Sequence, residues 1–215
     1  MKITWIEFGS YLTYSPKCNS DLAKASRTAM KALKDDEILP NLQIPTSEFL
    51  ANSIGDNLGK LPFANLFASN PVLVPTPRSS LVRPDTLRVP QRLANALARR
   101  GLGSRVEACL NRFKAVRKSA TSQGADRPKA IEHYNSMEVQ KVFPEPAEIL
   151  LIDDIVTRGA TTLGSVNRLA EAFPHARIRV FAAMRTISPP DVFQSLIDPC
   201  LGHIELRGID TFRRP

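Results

Sequence analysis

An α/β fold, with helices flanking a largely parallel sheet, is what this sequence predicts, and three observations predict it. Between residues 71 and 186, short apolar runs suited to buried strands alternate with amphipathic stretches suited to helices. The most apolar run, EILLIDD at 148–154, passes directly into a Thr/Gly turn and then a helical repeat. At 215 residues and 43% hydrophobic the chain is one ordinary domain, with or without a small appendage, and not a disordered one. The longest unbroken apolar stretch, Val180 to Met184, is far short of the roughly 20 residues of a membrane span. MKITWIEFGS carries no secretory pattern, so a cytoplasmic location and no membrane partner are expected.

Taken in order, residues 1–50 read as an N-terminal helix-bearing segment. In it Leu22, Ala25, Ala29, Ala32 and Leu33 fall at helical spacing. Trp5, Phe8, Tyr11 and Tyr14 are either a stacking surface or anchors onto the sheet. Two prolines and then Ser47 suggest a loop and an N-cap, with a helix over about 47–58. Val72–Val74, held between Pro71 and Pro75, predicts a buried strand that enters the loop PTPRSSLVRPD. RVPQRLANALARRG is a helix with a glycine stop at Gly101. Val106 to Leu110 reads as a second strand, 114–130 as a mobile loop, and MEVQKVF (137–143) as a weak edge strand. After EILLIDD, the spacing of Leu163, Val166, Leu169, Ala170 and Phe173 predicts a helix, and RIRVFAAM another buried strand. Cys18, Cys109 and Cys200 are dispersed and suit reduced thiols, and no metal site is legible in the scattered histidines.

The chemistry is concentrated in ILLIDDIVTRGATT, residues 149–162. Ligands of parallel sheets sit beyond the carboxyl ends of strands. Gly159 permits close backbone approach, and the amides of a helix start, with the hydroxyls of Thr157, Thr161 and Thr162, can cradle a phosphate. Asp153 and Asp154 cannot bind that phosphate directly. Accepting hydrogen bonds from vicinal sugar hydroxyls is the natural work for such a pair. P-loop and dinucleotide-binding spacings are absent.

A hydrophobic strand, two acids and T-x-G-x-T resemble the phosphoribosyl pyrophosphate (PRPP) signature of type I phosphoribosyltransferases, and within them the chain is most similar to the ComF-like group. The likeness runs over about 71–186: VLVPTPRSS resembles the first strand and pyrophosphate loop, RFKAVRKSATSQ the Arg-rich approach to the flexible loop, and MRT the end of the core. The N-terminal cysteine knuckle common in ComF-like chains is missing.

The resemblance implies a type I phosphoribosyltransferase fold, with a possible hood in 1–50, a core over 51–188 and a tail over 189–215 packing on core or hood. Asp153 and Asp154 would bind the ribose hydroxyls, and Thr157, Arg158, Gly159, Ala160, Thr161 and Thr162 the 5′-phosphate. Thr76, Pro77 and Ser79 would hold pyrophosphate, with Arg78, Arg117, Lys118 and Arg127 as catalytic candidates that stabilise its departure. Mg²⁺ would arrive on PRPP oxygens, with no direct protein ligand expected. The implied reaction moves a phosphoribosyl group to an unknown, nitrogen-bearing small molecule. Thr157 stands where some relatives carry a carboxylate base. His133 is the one histidine near the loop and a candidate base, against a surface residue as the alternative. Tyr134 either stacks on a base or packs.

A competing class is a non-catalytic PRPP sensor or nucleic-acid-associated accessory factor in DNA uptake or defence. Residues 71–130 hold thirteen Lys or Arg against three acids, +10 of the net +8, and nucleic acid is a candidate partner for such a field. The alternative is a solvated basic face. The sequence leaves the oligomeric state open, a homodimer included.

Overall fold

The computed structural model describes residues 1–81, 87–117, 127–189 and 192–215. Its frame is a seven-stranded sheet: β1 (Trp5–Tyr14), β4 (Val72–Pro75), β5 (Arg105–Val106), β8 (Glu148–Val156), β9 (Arg177–Thr186), β10 (Ile197–Arg207) and β11 (Asp210–Arg214). The spatial order is β11-β10-β1-β9-β8-β4-β5. The five strands from β1 to β5 are mutually parallel, and β10 and β11 add an antiparallel hairpin beyond β1. Ile38–Leu39 and Ile44–Pro45, strands of two residues each, form a hairpin, β2–β3, and Leu110–Arg112 pairs with Met137–Val139 as β6–β7. The predicted strand over 106–110 therefore divides: β5 ends at Val106, and β6 belongs to another sheet.

Helices cover both faces, which is why the parallel strands read as apolar runs rather than as alternation. Leu73, Leu150, Ile152 and Phe181 enter one core, against Leu50, Ala51 and Ile54 of α2 (Thr46–Asn57) and Leu93 and Leu97 of α3 (Val89–Arg99). Their strand neighbours Val72, Val74, Ile149, Leu151 and Val180 enter the opposite core, against Leu163, Val166 and Leu169 of α5 (Ala160–Ala172). The short helix α4 (Ala130–Tyr134) packs on that second side through Ala130. Among the described residues no helix is long and apolar enough to cross a membrane.

Two features of the N-terminal part were not legible in its sequence. Residues 5–14 form a strand of the main sheet, where Phe8 and Tyr11 are buried and Trp5 is exposed, stacked on His203. They anchor the segment by being part of the sheet. The helix predicted from 47 to 58 is α2, but Ser47 is not its cap. The cap comes from Asp36, the left-handed residue that ends α1 (Asp21–Asp35), whose Oδ1 accepts from Ser47 N at 2.8 Å. Its Oδ2 is 3.1 Å from Arg92 Nη1, so one buried carboxylate joins α1, α2 and α3.

Several other basic residues of the 71–130 segment are likewise paired. Arg99 meets Glu48, Arg100 meets Asp56 and Arg105 meets Glu107, while Arg112 is buried. The charge concentrated along the sequence is thus partly balanced in space by α2. All three cysteines are free thiols.

Candidate functional site

The site follows from how the strands connect. From β4 the chain leaves through α3 on one face of the sheet; from neighbouring β8 it leaves through α5 on the other. Adjacent parallel strands whose crossovers diverge open a crevice at their carboxyl ends. There the ladder ends with Thr76 N donating to Ile152 O at 2.8 Å. Thr76 is buried, and its hydroxyl is left without a hydrogen-bond partner, which costs free energy.

β8 does not stop at the acids as predicted; the long β9 pairs with it through Val156. Facing nevertheless slips here. Ile152 and Ile155 pack toward the same core although three residues apart, so alternation breaks across Asp153–Asp154. Asp153 is buried and Asp154 partly so. Each carboxylate accepts from the next backbone amide: Asp154 N donates to Asp153 Oδ1 at 3.0 Å, and Ile155 N to Asp154 Oδ1 at 2.7 Å. Burial, and then the charge of Asp154, push the Asp153 carboxyl well above its ordinary range. Lys34, in the last turn of α1, reaches Asp154 Oδ2 at 3.0 Å. Nothing in the N-terminal sequence signalled this contact, because it spans 120 residues.

After β8, Thr157 and Arg158 are exposed, and Gly159 turns the chain into α5 at φ +88°. A Cβ on Gly159 would stand 2.6 Å from Ile204 of β10, so both the left-handed backbone and the close packing require glycine. No side chain caps α5 and its first turn holds no acid. The amides of that turn are left to an outside acceptor. The turn borders a cleft also lined by Arg127, Lys129 and Asp210, the last two an ion pair. Arg213 of β11 braces the turn from beneath, donating from Nε to Thr157 O at 2.8 Å, with its guanidinium over the Phe8 ring. Burial, with the charge of Arg185, lowers its pKa to about 10.

The structure thus sets Asp153 and Asp154 in β8 and Gly159 to Thr162 at the start of α5, with Thr76 beside Ile152 at the end of β4. The cleft lined by Arg127 takes in Thr157, Arg158 and Ala160 of this stretch, and Asp153, Thr162 and Thr76 are buried. Pro77 and Ser79 continue the loop from Thr76, and Ser79 O accepts from Val116 N at 2.9 Å. Arg78 is exposed and donates to Leu87 O at 2.5 Å, while Arg117 is exposed without a contact to the turn. Lys118, with Thr121 and Gln123 of the expected flexible loop, lies outside the described residues.

Neither expectation for His133 holds: it is 1% exposed, between Arg112 and Thr161, and burial followed by the charge of Arg112 lowers its pKa to about 4. That excludes a solvent-facing base and a surface residue alike. Tyr134 packs on α5 instead, its hydroxyl donating to Glu171 at 2.9 Å and its ring lying 4.0 Å under Arg168. Comparison with protein-family models and with curated proteins finds no match for this chain.

Proposed function

We propose that the chain has a type I phosphoribosyltransferase-like fold, binds PRPP, and transfers its phosphoribosyl group to a nitrogen acceptor with release of pyrophosphate. The observation that carries this reading is the joining, near the end of one strand, of two adjacent carboxyl groups to a helix start that no side chain caps and that begins six residues after Asp154. A sugar phosphate needs those two chemistries at about that separation: acceptors for hydroxyls and donors for an anion.

On this reading Asp153 and Asp154 accept from the ribose hydroxyls. The α5 amides, with Thr161, hold the 5′-phosphate, and Thr162, 1% exposed, packs beneath them. The backbone of the loop from Thr76 through Ser79 faces the pyrophosphate. Arg127 and Arg158 place positive charge at the mouth of the cleft. The acceptor nitrogen forms its bond to ribose C1 as the C1–O bond breaks, and the bonding electron pair leaves with pyrophosphate. Charge develops on the sugar and on the leaving group, as in glycoside cleavage, so preorganised donors on the leaving side carry most of the acceleration.

Mg²⁺ would arrive on the PRPP oxygens rather than on a protein ligand set, and would there neutralise the departing charge. His133 is too buried to serve the acceptor as a base, so an acceptor already nucleophilic when neutral, such as ammonia or an amine, suits the site best.

The test is pyrophosphate release from PRPP and Mg²⁺ over a panel of bases, amines, ammonia and nucleic acids. Release with one acceptor class supports the reading. Tight PRPP binding without release for any acceptor assigns a PRPP sensor instead, and absence of PRPP binding overturns the proposal.

A further inference from the structure

His133 sits on α4 with both ring nitrogens engaged: Arg112 Nη2 lies 3.4 Å from Nδ1, and Thr161 Oγ1 lies 3.3 Å from Nε2. A guanidinium has only donors. Nδ1 must therefore accept, the single proton of the neutral ring stands on Nε2, and Nε2–H donates to Thr161 Oγ1. A hydroxyl that accepts in this way keeps its own proton for another partner. Thr161 lies in the first turn of α5, beside the uncapped amides.

The arrangement is rigid. Arg112 is 7% exposed, bonds Ser136 Oγ through Nη1, and donates from Nε to Arg78 O at 2.5 Å. α4 is pressed onto α5 at Gly164, where a Cβ would stand 2.7 Å from Ala130 O and 2.8 Å from His133 Cβ. One guanidinium therefore ties the loop after β4 to the imidazole that meets the first turn of α5. With the ring's pKa held at about 4, it is neutral near pH 7 and carries a single N–H.

We propose that His133 is a positioning residue whose Nε2–H holds the Thr161 hydroxyl as a donor toward a phosphate monoester seated on the first turn of α5, with Arg112 setting the tautomer. This rests on the sugar-phosphate reading of the site and adds how the phosphate donor is oriented.

Two measurements test it. In ligand-free protein, ¹⁵N spectra of the His133 ring should show a protonated Nε2 and a bare Nδ1 at pH 7. Calorimetric titration with ribose 5-phosphate should then compare wild type, His133→Leu, His133→Gln, Thr161→Val and the His133→Leu/Thr161→Val double variant. Losing one oriented neutral hydrogen bond should weaken binding about fivefold in His133→Leu and in Thr161→Val. His133→Gln, whose amide can donate from near the Nε2 position, should restore most of the affinity. The double variant should bind no more weakly than Thr161→Val alone. A ring protonated on Nδ1, or single losses that simply multiply, overturns the proposal while leaving PRPP binding intact. A wild-type chain with the expected tautomer that binds no ribose 5-phosphate overturns the sugar-phosphate reading and this role with it.

Discussion

Replacing Asp153 or Asp154 by asparagine separates what these carboxylates do for a ligand from what they do for the fold. Asparagine keeps the size and one acceptor oxygen but not the charge. Asp153 is 7% exposed and its carboxyl is held toward the neutral form, so the free chain gains little from a charge there. Asp153→Asn should therefore leave ligand-free stability near neutrality unchanged or slightly higher. Sugar hydroxyls donating to the carboxylate favour its charged form in the complex, so there the substitution removes a charge-assisted hydrogen bond worth about 2 kcal/mol, or about thirtyfold in Kd. At a PRPP concentration about 100 times the wild-type Kd, binding stabilises the native chain by about 2.7 kcal/mol, a rise in Tm of about 5–11 °C for a protein of this size. The same concentration is only about three times the variant's Kd, which leaves about 0.9 kcal/mol and about 2–4 °C. Differential scanning fluorimetry with PRPP and Mg²⁺ reads both values in one experiment. A full wild-type shift in both variants would refute the assignment of these carboxylates to the sugar.

Three further outcomes are expected. Gly159→Ala places a side chain at φ +88° and against Ile204, and should lower stability by about 1–3 kcal/mol in urea unfolding; an unchanged midpoint would show that β10 yields. An unfolded aspartate ionises near 3.8 and the folded Asp153 only at higher pH, so the folded state holds the extra proton across that interval. Wild-type stability relative to Asp153→Asn should thus fall as pH rises through the interval, and parallel pH profiles of the two proteins would contradict it. The Cys18 thiol has its pKa lowered by its hydrogen bonds to Ser20, whereas burial raises Cys109 to about 11. Alkylation followed by mass spectrometry should label Cys18 well before Cys109, and equal rates would place Cys109 at the surface.

Local patterns in the chain determined the parallel α/β class, the strands around Val72–Val74 and Ile149–Ile152, the helices α3 and α5, and the crevice that their crossovers open. These are legible because strand and helix periodicity, proline and glycine act within a few residues of themselves. The Asp153–Thr162 stretch was equally plain, since its acids, turn and helix start are contiguous. Tertiary structure alone decided that residues 5–14 are a strand of the main sheet, because their partners in β9 and β10, such as Val180 for Phe8 and Glu205 for Trp5, lie at the far end of the chain. It alone brought Lys34 to Asp154, Arg213 beneath Thr157, and Arg112 and His133 behind Thr161. A hydrogen bond between residues far apart in sequence leaves no mark on local spacing. A buried histidine and a surface one look alike until packing removes the water around one of them.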